Sequence, residues 1–284
     1  MNDANIFIVG AKGQLGLALQ AQYPRAKTAG INELDITDQE SVQNYDWSGI
    51  KVIINAAAFT NVDGAETNEG RITAWQVNAV GVSNLVKLAL SRDILLVHIS
   101  SEYVFDGSKN PHIESEPLSP LSVYGQSKAA GDLLVSLLPK YYLIRTSWVI
   151  GEGKNFVRTM LDLGKKGIEP SVVNDQVGRL TFTSELVRGI DYLLNKKAAY
   201  GIYNLSNEGQ PSSWADIARA IYKLAGYDLK VTDTTTAEYF VSKQDVAPRP
   251  LNSALSLDKI HDSGFVSRDW YDDLRDYIER ERDR

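Results

Sequence analysis

The chain has 284 residues, room for one large domain or for a domain with a smaller lobe. Its hydrophobic residues, 43% of the total, can bury a proper core, and its net charge of −6 argues against a general nucleic-acid binder. Without cysteine it has neither disulfides nor thiolate metal sites, which fits a reducing cytoplasm. The start, MNDANIFIVG, lacks the basic region of a signal peptide, and no apolar run approaches the ~20 residues that span a bilayer. No membrane partner is expected.

In chain order, residues 5–9 form a short apolar run and read as a first strand. Gly10, Gly13 and Gly16 follow as G-x-x-G-x-x-G, and LALQAQY continues on a helical pattern. Such glycines let backbone approach a pyrophosphate, whose charge a helix N-terminus favours. Dinucleotide binding is therefore expected here; a tightly packed turn is the plainer alternative. Residues 26–31 are a weak second strand, and LDITD opens a helix with Thr37 or Asp38 as N-cap. A third strand over 51–58 ends in three alanines. A long helix over 69–91, a strand over 94–99, a helix over 121–138 and a strand over 141–148 complete the alternation. Strands alternating with helices imply an α/β fold with a doubly wound parallel sheet of Rossmann type.

Beyond Trp148 the texture changes. Short strands (SVVND, GIYNLSN) mix with a helix over 213–224, then APRPLNS, then a charged closing helix. The expected division is a dinucleotide-binding domain over 1–150 and mainly a smaller α/β substrate lobe over 151–284, parts of which can return to the sheet.

Ser100, Ser101, Glu102 and Tyr103 fall where the 94–99 strand ends, and open α/β sheets hold ligands at the carboxyl ends of their strands. Tyr124 and Lys128 are four apart and share one face of a helix. The chain holds four Y-x-x-x-K pairs: Tyr23/Lys27, Tyr124/Lys128, Tyr192/Lys196 and Tyr239/Lys243. Only Tyr124 has a serine-bearing strand end shortly before it, and Pro24 spoils a helix through the first pair. Tyr124 would give a proton to a carbonyl oxygen, Lys128 would lower the phenol pKa and hold the cofactor ribose, and the Ser101 hydroxyl would bond the carbonyl. The hydride has to come from a nicotinamide, since no side chain supplies one.

Other candidates have plainer readings beside the functional one. His98, His112 and His261 have no metal spacing and read as structural or surface residues. Trp148 reads as core packing or as a site residue, and Arg249, between Pro248 and Pro250, as a phosphate clamp or a solvated loop arginine. Asp63 and Glu66 suit a helix start. An acid that selects NADH stands about 20 residues past the first glycine, and that count lands on Gly30. Glu33 lies beyond the expected turn, and Lys12 can attract a 2′-phosphate. NADPH is therefore expected to serve at least as well as NADH.

The segments GxxGQLG, LDITD, VIINAAAFTNVDGAE, VNA, HISSEYVFDG, YGQSK, LIRTSWV, GKNFV, VVNDQVGR, GIYNLSN and APRPLNS occur in this order over nearly the whole chain. Together they resemble the dTDP-4-dehydrorhamnose reductases, extended members of the short-chain dehydrogenase/reductase superfamily. The resemblance implies NAD(P)H-dependent reduction of the C4 ketone of dTDP-4-dehydro-L-rhamnose. Carried over by position, Tyr124, Lys128 and Ser101 would be catalytic. Gly13, Gln14 and Leu15 would meet the pyrophosphate. Asp35 and Ile36 would lie near the adenine, and Ala56, Ala57 and Ala58 would line the cofactor. Glu102 and Trp148 would meet the sugar, with Arg249 a further substrate contact.

Three departures stand out. Ser101-Glu102 replaces the usual Thr-Asp, which bears on the sugar accepted. Leu180 replaces a usual proline. Leu17-Ala18-Leu19 occupies the first helix where some relatives carry metal-binding acids, so no metal is expected. Two alternatives stay open. One is a different nucleotide-linked 4-keto-6-deoxysugar. The other is a non-catalytic NADP-binding role like that of the regulatory subunit of methionine adenosyltransferase. Monomer and homodimer are both compatible with the sequence.

Overall fold

The computed structural model describes residues 2–241 and 246–282. The first unit runs β1 (Ile6–Val9), α1 (Gln14–Gln22), β2 (Lys27–Ala29), α2 (Gln39–Asn44), β3 (Val52–Asn55), α3 (Asn68–Trp75), a π-helical segment (Gln76–Gly81), α4 (Val82–Arg92), β4 (Leu95–Ser101), α5 (Val123–Val135) and β5 (Tyr141–Thr146). β1 and β3 are buried along their whole length, as continuous apolar runs in a parallel sheet should be.

Side chains alternate between two cores. Ile6, Ile8, Val52 and Ile54 point to one face, where Leu15 and Leu19 of α1 lie. Phe7, Val9 and Ile53 point to the other, against Val42 of α2 and Leu85 of α4. The sheet order is β10-β5-β4-β3-β1-β2, with every neighbouring pair parallel. The order reverses at β1, so the crevice at the carboxyl ends of β1 and β3 is where a doubly wound sheet binds its ligand.

The later chain divides between two cores. β10 (Gly201–Asn204) pairs with β5 and becomes the sixth strand of the sheet. Helix α7 (Thr183–Lys196) places Leu186, Ile190 and Leu193 in the α1 core. A separate core collects β6 (Val149–Ile150), α6 (Phe156–Lys165), β7 (Ser171–Val173), β9 (Thr181–Phe182), α8 (Trp214–Ala225) and α11 (Trp270–Arg282). Around them lie β8 (Val177–Gly178), β11 (Ser212–Ser213), β12 (Thr232–Thr234), α9 (Thr236–Phe240) and α10 (Asp258–Asp262). Among the described residues no helix is long and apolar enough to cross a membrane.

The expected 69–91 helix is interrupted by the π-helical segment. There Asn78 points inward, exchanging hydrogen bonds with both backbone groups of Phe59 (2.9 and 3.1 Å) and donating to the Ser127 hydroxyl (3.0 Å). Helix α5 starts at Ser122, whose hydroxyl accepts from the Gly125 amide at 3.1 Å.

Candidate active site

The β1–α1 turn is built by two glycines. Gly10 has φ +79°, and a Cβ there would sit 2.5 Å from the Ala57 nitrogen. A Cβ on Gly16 would sit 2.2 Å from the Gly10 carbonyl oxygen. Neither glycine lines the crevice; they bring Gly13, Gln14 and Leu15 to its wall. The buried Gln14 Oε1 atom there has no hydrogen-bond partner. A glycine cradle at a helix start, too tight for any Cβ, fits a dinucleotide pyrophosphate.

The crevice is a cavity of about 470 Å³, lined also by Ser101, Glu102, Tyr103, Tyr124, Lys128 and Trp148. Ser101 ends β4. Its hydroxyl accepts from the Tyr103 amide at 3.2 Å and donates to Glu102 Oε2 at 2.8 Å. Tyr124 packs edge-on against Tyr103, with ring centroids 5.4 Å apart. One helical turn on, the buried Lys128 ammonium donates to the Ile99 carbonyl at 2.7 Å. A further turn brings Asp132, which accepts from Arg145 Nε of β5 at 3.0 Å, both side chains buried.

Burial dominates the electrostatics. It pushes the Glu102 carboxyl up to about 7 and the Lys128 ammonium down to about 8, the latter opposed by Asp132. The Tyr124 phenol is also pushed up, first by burial and then by the Glu102 charge. The Ser101 hydroxyl opposes that rise, and the Asp132 charge adds to it.

Ala56 and Ala58 line the cavity, whereas Ala57 packs into the α2–α4 core with its backbone against Gly10. Asp35 bonds Thr37 (amide 2.9 Å, hydroxyl 2.7 Å), and Ile36 is buried in that core. Neither lines the crevice. The groove at the end of β2 is lined instead by Lys12, Gly30 and Glu33, among others. The Glu33 carboxylate folds back to accept from the Gly30 amide at 2.9 Å. The expectation that no carboxylate stands at Gly30 is corrected: the turn returns one.

A second cavity of about 470 Å³ adjoins the first, sharing Tyr103 and Trp148 and adding Phe156, Trp214, Phe240 and Arg249. Trp148 adopts φ +43°, strained for a bulky residue, and stacks on Trp214 at 3.8 Å. Arg249 donates to Asp63 at 2.8 Å and to the Ala247 carbonyl at 2.9 Å, and its guanidinium lies over Phe240.

Residues 4–282 match the family model described as the RmlD substrate binding domain. The chain belongs to this family. A dTDP-4-dehydrorhamnose reductase of Aggregatibacter actinomycetemcomitans is 38% identical, the match covering 94% of this chain and 96% of that one. The crystal structure of a dTDP-4-dehydrorhamnose reductase from Clostridium acetobutylicum is similar with a TM-score of 0.90 at 38% identity, covering 98% and 99% of the two chains. One from Bacillus anthracis str. Ames, in complex with NADP, has a TM-score of 0.88 at 33% identity, covering 97% and 98%.

In this RmlD-family chain two of the other Y-x-x-x-K tyrosines do structural work, and Tyr239 lines the second cavity. Tyr23 bonds Asp191 at 3.0 Å and Tyr192 bonds the Ser263 carbonyl; Lys243 of the fourth pair lies outside the described residues. The histidines are engaged too. His112 bonds Glu116 at 3.0 Å, His261 bonds Ser267 at 3.1 Å, and the buried His98 meets the Asn55 amide at 3.0 Å. The sequence reading placed Tyr103 at the ligand-binding strand end but missed Phe156 and Trp214 as cavity residues. Their only signal is being aromatic, which core residues share.

Proposed function

We propose that this protein reduces the C4 ketone of dTDP-4-dehydro-L-rhamnose to give dTDP-L-rhamnose, in the cytoplasm, with NADPH as donor and NADH as a possible second. The observation that carries the reading is the meeting of Ser101, Tyr124 and Lys128 in one cavity that the Gly13–Leu15 turn also lines. NADPH supplies the hydride when bound. The chain's own part is to bind, orient and manage one proton. Gly13, Gln14 and Leu15 hold the pyrophosphate at the start of α1. Lys128, on the same helical face as Tyr124, holds the ribose and keeps a positive charge beside the reacting centre. Tyr124 gives its proton to the oxygen as the ketone becomes an alcohol, and Ser101 bonds that oxygen. The aromatic cavity beyond Trp148, with Arg249 at its edge, takes the nucleotide.

The test is to mix the purified protein with NADPH and dTDP-4-dehydro-L-rhamnose, follow NADPH oxidation, and identify the product by chromatography. Turnover to dTDP-L-rhamnose is expected. Folded protein that binds NADPH yet turns over none of a panel of nucleotide 4-keto sugars would defeat the reading.

A further inference from the structure

A serine hydroxyl has one proton to donate and two lone pairs with which to accept. At Ser101 the Tyr103 amide fills one lone pair, Tyr124 stands within hydrogen-bonding reach of the same hydroxyl, and the proton is committed to Glu102 Oε2 at 2.8 Å. With the carboxylate ionised, nothing remains to donate to a ketone, whose oxygen can only accept. With the carboxyl protonated, its own O–H can fill the second lone pair of Ser101, and the serine proton turns to the substrate. Glu102 gains one O–H bond, its proton coming from solvent, and the direction of one hydrogen bond reverses. We propose that Glu102 is a positioning residue for the reduction, its protonated form releasing the Ser101 hydroxyl to the substrate ketone. This rests on the reductase reading above.

The surroundings suit such a switch. Glu102 is only 3% exposed, and burial brings its carboxyl up to about 7, so both forms are populated near neutral pH. The groups that face it are the Tyr103 ring on its own turn, Tyr124 with Lys128 behind it on α5, and Ser253 from the C-terminal segment. The Arg249–Asp63 pair lies beyond Tyr103, and the Asp132–Arg145 pair deeper still. The Glu102 charge also makes Tyr124 harder to ionise, so protonating Glu102 assists the phenol in giving up its proton as well. Both effects have one sign: the rate falls as pH rises through about 7.

The test is the pH profile of kcat/KM with NADPH and dTDP-4-dehydro-L-rhamnose for the wild type, Glu102→Gln and Ser101→Ala. The glutamine is permanently neutral and keeps a donor for Ser101. The expected result is an alkaline fall in the wild type whose midpoint moves up by about one pH unit or more in Glu102→Gln, leaving the later loss due to Lys128. Ser101→Ala should turn over slowly and show the step only in part, because the serine route is gone and just the influence of the Glu102 charge on Tyr124 remains. If the fall belongs to Lys128 instead, removing a nearby anion can only ease deprotonation of the ammonium, so the midpoint stays or drops in Glu102→Gln; that result overturns the proposal. So does a step retained at full size in Ser101→Ala, which also decides the matter should Glu102→Gln fail to fold. Wild-type turnover without any step near 7 sinks this proposal alone. Absent turnover at every pH by NADPH-bound protein sinks the reductase reading with it.

Discussion

A tyrosine closed off from water keeps its proton at any ordinary pH, and Tyr124 is such a residue, pushed up by burial and by the charge of Glu102. It is therefore loaded with its proton before substrate arrives, and the ammonium of Lys128 matters once the proton has left. Tyr124→Phe removes one hydroxyl while the ring still packs against Tyr103 and Val123. Turnover should drop by ~10²–10⁴-fold, the usual worth of a general acid. NADPH affinity, measured by fluorescence titration, should stay within about twofold, since only an exchangeable proton donor is lost. Cofactor choice is decided at the same scale. Glu33 and Lys12 face each other across Gly30, a side chain there meeting each at 3.9 Å. A 2′-phosphate would meet one charge of each sign. Both residues are exposed, so each contact is worth only ~0.2–1 kcal/mol. Glu33→Gln should raise the NADPH-to-NADH ratio of kcat/KM roughly two- to fivefold, and Lys12→Ala should lower it by a similar factor. Ratios unmoved in both variants would place the selecting group elsewhere.

At the scale of elements, α5 is positioned from two sides. Ser122 caps its start, and Asn78, turned inward by the π-helical segment, bonds the Ser127 hydroxyl between Tyr124 and Lys128. Asn78→Ala leaves both backbone groups of Phe59 and the serine without these partners, at a cost of about 1–3 kcal/mol. Urea denaturation should show that loss, and kcat should fall with it because the catalytic helix loses its tether. The alternation of strands and helices was legible because period-two and period-3.6 patterns are local. The π-helical segment was not, because QVNAVG carries an ordinary helical pattern and its extra residue is fixed by Phe59, 19 positions away. Ser101, Tyr124 and Lys128 could be read from spacing, since one helix and one strand end carry all three. The rise in the Tyr124 pKa could not, because burial depends on what the rest of the fold lays over the ring. The Glu33 carboxylate at Gly30 was hidden for a different reason: a turn of exposed residues has no periodicity to show where it folds back.

At the scale of the whole molecule, the chain is not two beads on a string. β10 completes the sheet beside β5, and α7 covers α1, so residues after 182 supply part of the first core. Helix α11 closes the second core and is tied back by the Tyr277 hydroxyl on the Gly151 carbonyl, at 2.9 Å, and by Arg158–Glu281. A fragment of residues 1–150 would expose the β5 edge and the apolar face of α1. It should fail to give a cooperative thermal transition by circular dichroism, while the full chain melts as one unit. An independently folding 1–150 fragment would show that the sheet closes without its sixth strand.

The Trp148–Trp214 stack has a consequence for how the protein can be watched. Two indoles held 3.8 Å apart and only 18° from parallel share their electronic excitation, at the mouth of the cavity proposed for the nucleotide. The pair should give a paired positive and negative circular-dichroism band and a quenched emission that isolated tryptophans lack. Trp214→Phe should abolish the paired band. Titrating dTDP alone into the wild type should perturb it without any chemistry taking place, so occupancy of the nucleotide cavity can be followed optically, with no label and no turnover.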